Sequence, residues 1–339
     1  MDNEAPDPER LVSVTADDVA RVAGVSRWTV ARAFRKDSPI SPGSRERVLR
    51  AAEALGYVPD LLASSLASDR SNLVALMIDD FENPHKLVML RELTRVLRVE
   101  GWGCLLVNML DAEDGPGAFL AALQRRVDAA VVIGTGFDDR VMATALGARR
   151  VRKLIVFARA SGVADTISIT CDDTRAMSEI ARHLWSRGRR RPLFLAGPGT
   201  ESATLERESG FRARWAGLGG ATPEVLRADH YAPSVACETI EAAFAAMTRA
   251  DWPDALVCEN DSLAIGAVDA LRYRMGAQLP EEVAVTGFDD TPLAASPAYR
   301  LTTYRQPMAE MTRELVQALA GARVESVRVP GALVVRETA

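Results

Sequence analysis

The sequence predicts an α/β protein in which a small all-α head precedes two doubly wound parallel-sheet subdomains. Three observations carry that prediction. The chain has 339 residues, about twice a typical domain, so more than one domain is expected. Residues 14–34 read as two short helices around a tight turn. From Leu73 onward, short apolar runs alternate with amphipathic helical stretches, the pattern of parallel strands covered on both faces. A hydrophobic content of 48% is enough for a sizeable core. No apolar run is long enough to span a bilayer. The opening MDNEAPDPER lacks the apolar stretch of a signal peptide, and residues 1–13 read as a disordered tail.

The first helical pair is VTADDVARVAGVSRWTVARAF, Val14 to Phe34. Thr15 is placed to cap the first helix, with Asp18 three residues on as the capping-box acid. Val19, Ala20 and Ala23 make a small apolar face. Gly24 stands where a left-handed residue ends the helix. Ser26 is an N-cap for a second helix, whose inward face is Val30 and Phe34. Arg27, Trp28, Ala31 and Arg32 remain outward. Basic residues at the head of a capped helix behind a glycine turn form a helix-turn-helix, whose second helix enters a DNA major groove. A plain helical bundle uses the same pieces, so the surroundings decide. Ser41-Pro42 starts a third helix, Val48, Ala52 and Leu55 form its stripe, and Gly56 ends it.

Here the chain resembles the LacI family of bacterial transcription regulators. The resemblance runs from VTADDVARVAGVS through SRERVLRAAEALGYVPDLLASSLAS to GFDDTPLA, LTTYRQP and the terminal LVVRE, nearly the whole sequence. It implies that Arg27, Trp28 and Arg32 read base edges. Arginine pairs bidentately with guanine O6 and N7. Trp28 departs from the smaller or amide side chains common at its position. It would cover thymine methyls or stack on Arg32 four residues later. Thr15, Ser26, Thr29 and Arg35 suit phosphate contact, which positions without specifying sequence. Many relatives carry Asn where Arg35 stands. For residues 60–70 the resemblance implies a hinge helix that orders on DNA, with Leu66 as minor-groove wedge and Ala63 on the same face. The residues alone equally allow a packed linker, because so short a helix is marginal in water.

Net charge is −5, yet the acid is not evenly spread. Residues 10–59 carry Arg10, Arg21, Arg27, Arg32, Arg35, Lys36, Arg45, Arg47 and Arg50 against Asp17, Asp18, Asp37, Glu46 and Glu53, so the head is basic and the body acidic. One part suits phosphate and the other a different ligand. In the body, the apolar runs 73–78, 104–109, 129–134, 153–158, 192–197, 255–260 and 283–288 read as strands. Helices are expected near 86–100, 117–125, 174–187, 207–216, 235–248 and 261–275. Two sets of strands suggest two subdomains with a cleft between them. The resemblance implies a periplasmic-binding-protein-like arrangement with three chain crossings, near Thr170, Leu301 and Val324. The predicted domains are then a tail, 1–13; a helix-turn-helix head, 14–59; a hinge, 60–70; and an effector and dimerisation domain, 71–339. Within that domain, subdomain one takes about 71–170 and 302–324, and subdomain two about 171–300 and 325–339.

In such folds ligands sit beyond the carboxyl ends of strands. Asp289-Asp290 and Asn260-Asp261 both follow predicted strands, and Arg207 heads a helix after the GPGTESATLER loop. The resemblance implies effector contact for Asp289, Asn260 and Arg207, with Tyr231 as an aromatic against the ligand. Carboxylate, amide and guanidinium groups suit a polyhydroxyl compound because each makes directional hydrogen bonds. Asp290 and Asp261 read as helix caps. Arg159 follows Ala158 where relatives often show an acid before Arg. His85 replaces the phenylalanine of the usual Asn-Pro-Phe, offering ring nitrogens to a ligand or standing as a solvated helix-start residue.

Cys104, Cys171, Cys237 and Cys258 lie far apart in apolar or helical contexts, read as buried reduced thiols. No GxGxxG opens a βα unit and there is no P-loop. Three histidines, His85, His183 and His230, give poor material for a triad or metal site, and Mg²⁺ at the Asp-Asp pairs is a weaker account. The expectation is therefore a DNA-binding regulator, a repressor and not an enzyme, with no cofactor, metal or membrane. It would act in the cytoplasm as a homodimer on a palindromic operator of double-stranded DNA, controlled by a small-molecule effector, a sugar. The alternatives are a regulator answering to a nucleoside or purine, a carbohydrate-binding protein without regulation, and an enzyme on the same body.

Overall fold

The computed structural model describes residues 14–34, 38–59, 70–109, 117, 124–136, 142–144, 151–199 and 205–339. The predicted tail, Arg35, the hinge with Ala63 and Leu66, and most of the helix expected near 117–125 lie outside these. The described chain forms two units, which divide between Ser71 and Asn72.

The head holds α1 (Ala16–Ala23), α2 (Arg27–Ala33) and α3 (Pro42–Leu55). Thr15 and Asp18 close a reciprocal capping box, so two N–H groups that the first turn leaves without partners are satisfied. Gly24 ends α1 at φ 64, a conformation a β-carbon disfavours. Val19, Ala20, Ala23, Val30, Ala33, Val48, Ala51 and Ala52 form one core. Ala33, not Phe34, is the second buried residue of α2; Phe34 lies at the rim against Tyr57, ring centroids 5.9 Å apart. Arg45 of α3 donates to the Ala33 carbonyl at 2.8 Å and to that of Ser38 at 3.3 Å, fixing the carboxyl end of α2.

The body contains two six-stranded sheets. The first has the order β11-β5-β4-β3-β1-β2, all parallel. Its strands are β1 (Leu73–Ile78), β2 (Gly103–Asn108), β3 (Ala129–Ile133), β4 (Lys153–Phe157), β5 (Thr166–Cys171) and β11 (Val327–Val329). On one face, α4 (Pro84–Val99) and α9 (Met308–Ala320) bury Met89, Leu93 and Leu97 with Met311 and Leu315. Lys153 donates to the Ala318 and Leu319 carbonyls and so caps α9.

The second sheet runs β12-β10-β9-β8-β6-β7, and only its β10–β12 pair is antiparallel. Its strands are β6 (Pro192–Ala196), β7 (Glu224–Arg227), β8 (Ala255–Cys258), β9 (Ala284–Asp289), β10 (Thr302–Arg305) and β12 (Ala332–Val334). One face carries α5 (Asp173–Ser186) and α6 (Arg207–Gly217); the other carries α7 (Pro233–Ala245) and α8 (Asp261–Asp269).

The chain passes between sheets near Asp172, near Gln306 and near Pro330. The second and third passages fall later than expected, and the assignment of 302–324 to subdomain one is corrected accordingly. β10 pairs with β9 in the second sheet, and β11 rejoins the first. The reason is polar. Thr302 and Thr303 are fully buried, and their hydroxyls are engaged. Thr302 accepts from the Arg336 N–H at 2.9 Å, and Thr303 donates to Asp261 at 2.6 Å. Hydropathy does not register such a strand.

The reading of four buried thiols is also corrected. Cys104 is exposed on edge strand β2 and Cys237 half-buried, whereas Cys171 and Cys258 are buried; all four thiols are free. Cys104 alternates outward because its strand has only one covered face. No described helix is long and apolar enough to cross a membrane.

Candidate functional site

On the head, Arg27 and Trp28 occupy the exposed first turn of α2, and Arg32 lies one turn later. Arg27 Nη1 is 3.4 Å from Asp17. The Arg32 guanidinium sits 4.1 Å from the centroid of the Trp28 ring, and its Nε donates to the Ser38 hydroxyl at 3.1 Å. Of the two uses open to Trp28, stacking on Arg32 is present. Ser26 accepts the Thr29 N–H at 3.2 Å, and the two hydroxyls are 2.9 Å apart. Thr15 serves α1 in the same way. These hydroxyls thus cap helices at the amino-terminal ends, where N–H groups and the helix dipole favour an anion.

In the body, a small cavity, partly open to solvent, lies between the carboxyl ends of the two sheets' strands. All six predicted effector residues line it: His85 and Arg159 from the first subdomain, Arg207, Tyr231, Asn260 and Asp289 from the second. Lys86 and Gln306 also line it and were not foreseen. Gln306 directly follows β10, so a reading of LTTYR as a strand would have found it by the rule that found Asn260. Lys86 gave no such signal; its ammonium pairs with Asp79 and lies 3.7 Å from Asp80.

Asp289 ends β9 at φ 120, an uncommon backbone for a residue with a side chain. Its Oδ1 accepts from Gln306 Nε2 at 2.7 Å and stands 3.8 Å from His85 Nε2. Burial raises the Asp289 carboxyl to about 7, although Arg207 opposes the shift. His85 is 4% exposed, so it is not the solvated alternative. Desolvation first, then Arg207, pushes it down to about 3, which leaves a neutral ring. Both its nitrogens, and Gln306 Oε1, are buried without a hydrogen-bond partner among the described residues.

The Arg207 guanidinium carbon sits over the Phe288 ring, 3.7 Å from its centroid. It pairs with Asp173 at 3.3 Å and donates to the Glu259 carbonyl at 2.8 Å. Burial works against its charge, but Asp173, Asp289 and Glu259 outweigh burial and raise its pKa. Tyr231 is held protonated by burial and by Glu259. Arg159 is buried and donates to the Ala160 carbonyl at 3.3 Å.

The capping assignments change places. Asn260, not Asp261, caps α8, its Oδ1 accepting from Leu263 N–H at 2.9 Å. Asn260 also lines the cavity. Asp261 instead accepts from Thr291 N–H at 2.7 Å and from Thr303. Asp290 forms ion pairs with Arg305 and Arg336, both at 2.6 Å. A one-residue phase difference at the strand end decides which acid turns inward.

A three-helix head with a basic second helix, followed by two α/β subdomains around a polar cleft, matches known architectures over nearly the whole chain. Residues 15–60 match the model of bacterial regulatory proteins of the lacI family, and residues 181–339 that of a periplasmic binding protein-like domain. The sucrose operon repressor of Escherichia coli is 30% identical over 339 residues, 94% of this chain and 98% of that protein. The chain belongs to the LacI family. The transcriptional regulator CelR of Thermobifida fusca is 29% identical over 340 residues, 95% of this chain and 96% of that one. Among solved structures, the Lac repressor dimer bound to operator and the anti-inducer ONPF superposes with a TM-score of 0.80 at 23% identity, over 96% of this chain and 99% of that one. The CelR–cellobiose complex superposes with a TM-score of 0.68 at 26% identity, over 96% and 100%. This LacI-family protein is thus a DNA-binding transcription regulator controlled by a ligand, and its relatives are regulators, not enzymes.

Proposed function

We propose that this protein is a repressor that acts in the cytoplasm, on the nucleoid, as a homodimer, and that a sugar bound between its subdomains sets its affinity for a palindromic operator. The observation that carries the effector reading is the polar lining of the cavity. Among the described residues, His85 and Gln306 present buried polar atoms without hydrogen-bond partners, in a lining they share with Asp289, Asn260 and Arg207. Such atoms are costly unless a ligand satisfies them, and hydroxyl groups, which donate and accept, are suited to do so. The names of the relatives, a sucrose operon repressor and a regulator solved with cellobiose, support the sugar class. Arg159 and Tyr231 complete the contact set.

In this reading Arg27 and Arg32 meet base edges, with Trp28 beside Arg32 on the same face, while Thr15, Ser26, Thr29 and Arg35 hold phosphates. Ala63 and Leu66 enter the minor groove at the operator centre. Two-fold protein symmetry requires a two-fold site. The effector bridges two subdomains, so its binding changes their relative pose and lowers operator affinity.

The test is selection of bound fragments from random duplex DNA, followed by release assays with neutral mono- and disaccharides, sugar acids and purine nucleosides. The expected results are a palindrome, a steep loss of affinity with salt, and release by one sugar. Weak, sequence-blind binding would sink the operator reading. Release by a nucleoside alone would sink the sugar.

A further inference from the structure

Trp28 is 67% exposed on α2 and, among the described residues, is not part of the head's apolar core. It has one neighbour of note. Arg32, four residues on and therefore on the same face, lays its guanidinium 4.1 Å from the ring centroid. Ser38 accepts from Arg32 Nε at 3.1 Å. These two contacts constrain both the plane of the guanidinium and its rotation within that plane. The two terminal nitrogens, Nη1 and Nη2, make no other hydrogen bond among the described residues. An indole, by contrast, has a single N–H and no acceptor, so it cannot hold a base edge bidentately.

We propose that Trp28 is a positioning residue: with Ser38 it orders Arg32, so that Arg32 meets one guanine end-on through Nη1 and Nη2. This rests on the reading of α2 as the DNA-reading helix. A free arginine loses much rotamer freedom when it docks in a groove. Here that ordering precedes DNA, and the fork arrives in the geometry that matches guanine O6 and N7. A cation–π contact at an exposed site biases the side chain by about two- to fivefold. Desolvation of the pair against DNA strengthens it further.

The experiment uses the full chain and the duplex it selects from a random pool. Affinities are measured for that duplex and for every single base-pair substitution in one half-site, with wild type, R32A, W28A, W28F and S38A. R32A identifies the base pair that Arg32 reads. W28A is expected to lose about three- to tenfold discrimination at that base pair and at no other. W28F is expected to restore most of it, and S38A to show a smaller loss at the same position. The salt slope is expected to hold in W28A, because phosphate contacts are untouched. Thermal unfolding of W28A should match wild type, since the side chain is exposed. The proposal is overturned if W28A relaxes a different base pair, for then the indole itself covers a base. Equal weakening across all sequences, or no change, overturns it too. If wild type selects no sequence, the underlying reading of α2 fails, an outcome distinct from every variant result.

Discussion

Asp289 holds a carboxyl that burial raises to about 7, against an ordinary value of 3.8. A native pKa above the unfolded one means that the folded chain holds the proton more tightly. Its contribution to stability is complete below pH 4 and is lost as pH rises through about 7. Asp289→Asn removes this dependence and also lowers the buried Asp261 carboxyl, which Asp289 helps to raise. Between pH 5 and 8, the stability of the variant relative to wild type should rise with pH, by at most ~1.4 kcal/mol per unit for each of the two carboxyls. Thermal melts across that range check it; parallel profiles would show that Asp289 does not titrate there. Asn260 poses a different question, because it both caps α8 and faces the cavity. Asn260→Asp keeps an oxygen for Leu263 and removes the amide donor. It should leave the melting temperature within a few degrees, whereas Asn260→Ala should cost about 1 kcal/mol. Both variants should weaken effector binding, which calorimetry with the identified sugar would measure.

At the scale of elements, the crossings are the tightest places. Gly331, between β11 and β12, has room for no side chain, since a β-carbon there would lie 2.1 Å from the Arg305 carbonyl oxygen. Gly331→Ala must therefore push apart the second and third crossings. A destabilisation of ~1–3 kcal/mol is expected, typical of overpacking. Urea titration checks it, and an unchanged midpoint would mean that the two segments separate freely. β10 explains why these crossings were displaced in the sequence reading. It is a four-residue strand whose buried threonines look exposed by hydropathy, and long-range hydrogen bonds to Asp261 and Arg336 make it a core strand. β5, β7, β11 and β12 were passed over for related reasons, being short, polar or at a sheet edge.

At the scale of the whole molecule, operator and effector act on one protein, so their influence must be mutual. If the effector weakens operator binding by some factor, within the usual 5–150-fold, then operator weakens effector binding by the same factor. Effector titrations with and without saturating operator duplex measure both. Unequal factors would show that the two ligands do not share a two-state equilibrium.

The sequence by itself determined the head. Caps, glycine termini and apolar spacing act within three or four residues, so Thr15, Gly24, Ser26 and Ser41-Pro42 could be read without neighbours. It also carried the alternation of strands and helices and, because strand ends are marked by where apolar runs stop, the places of Asp289 and Asn260; Arg207, Tyr231, Arg159 and His85 were picked out by the resemblance to the family. Only the tertiary structure decided which side chains at those ends turn inward. Asn260 and Asp261, like Asp289 and Asp290, differ by one position in phase, and pairing across the sheet sets that phase. Lys86 reaches the cavity from α4, and Gln306 from the end of a strand that hydropathy does not mark. Their places depend on partners far away in the chain, and no local pattern encodes a contact that two distant segments must make together.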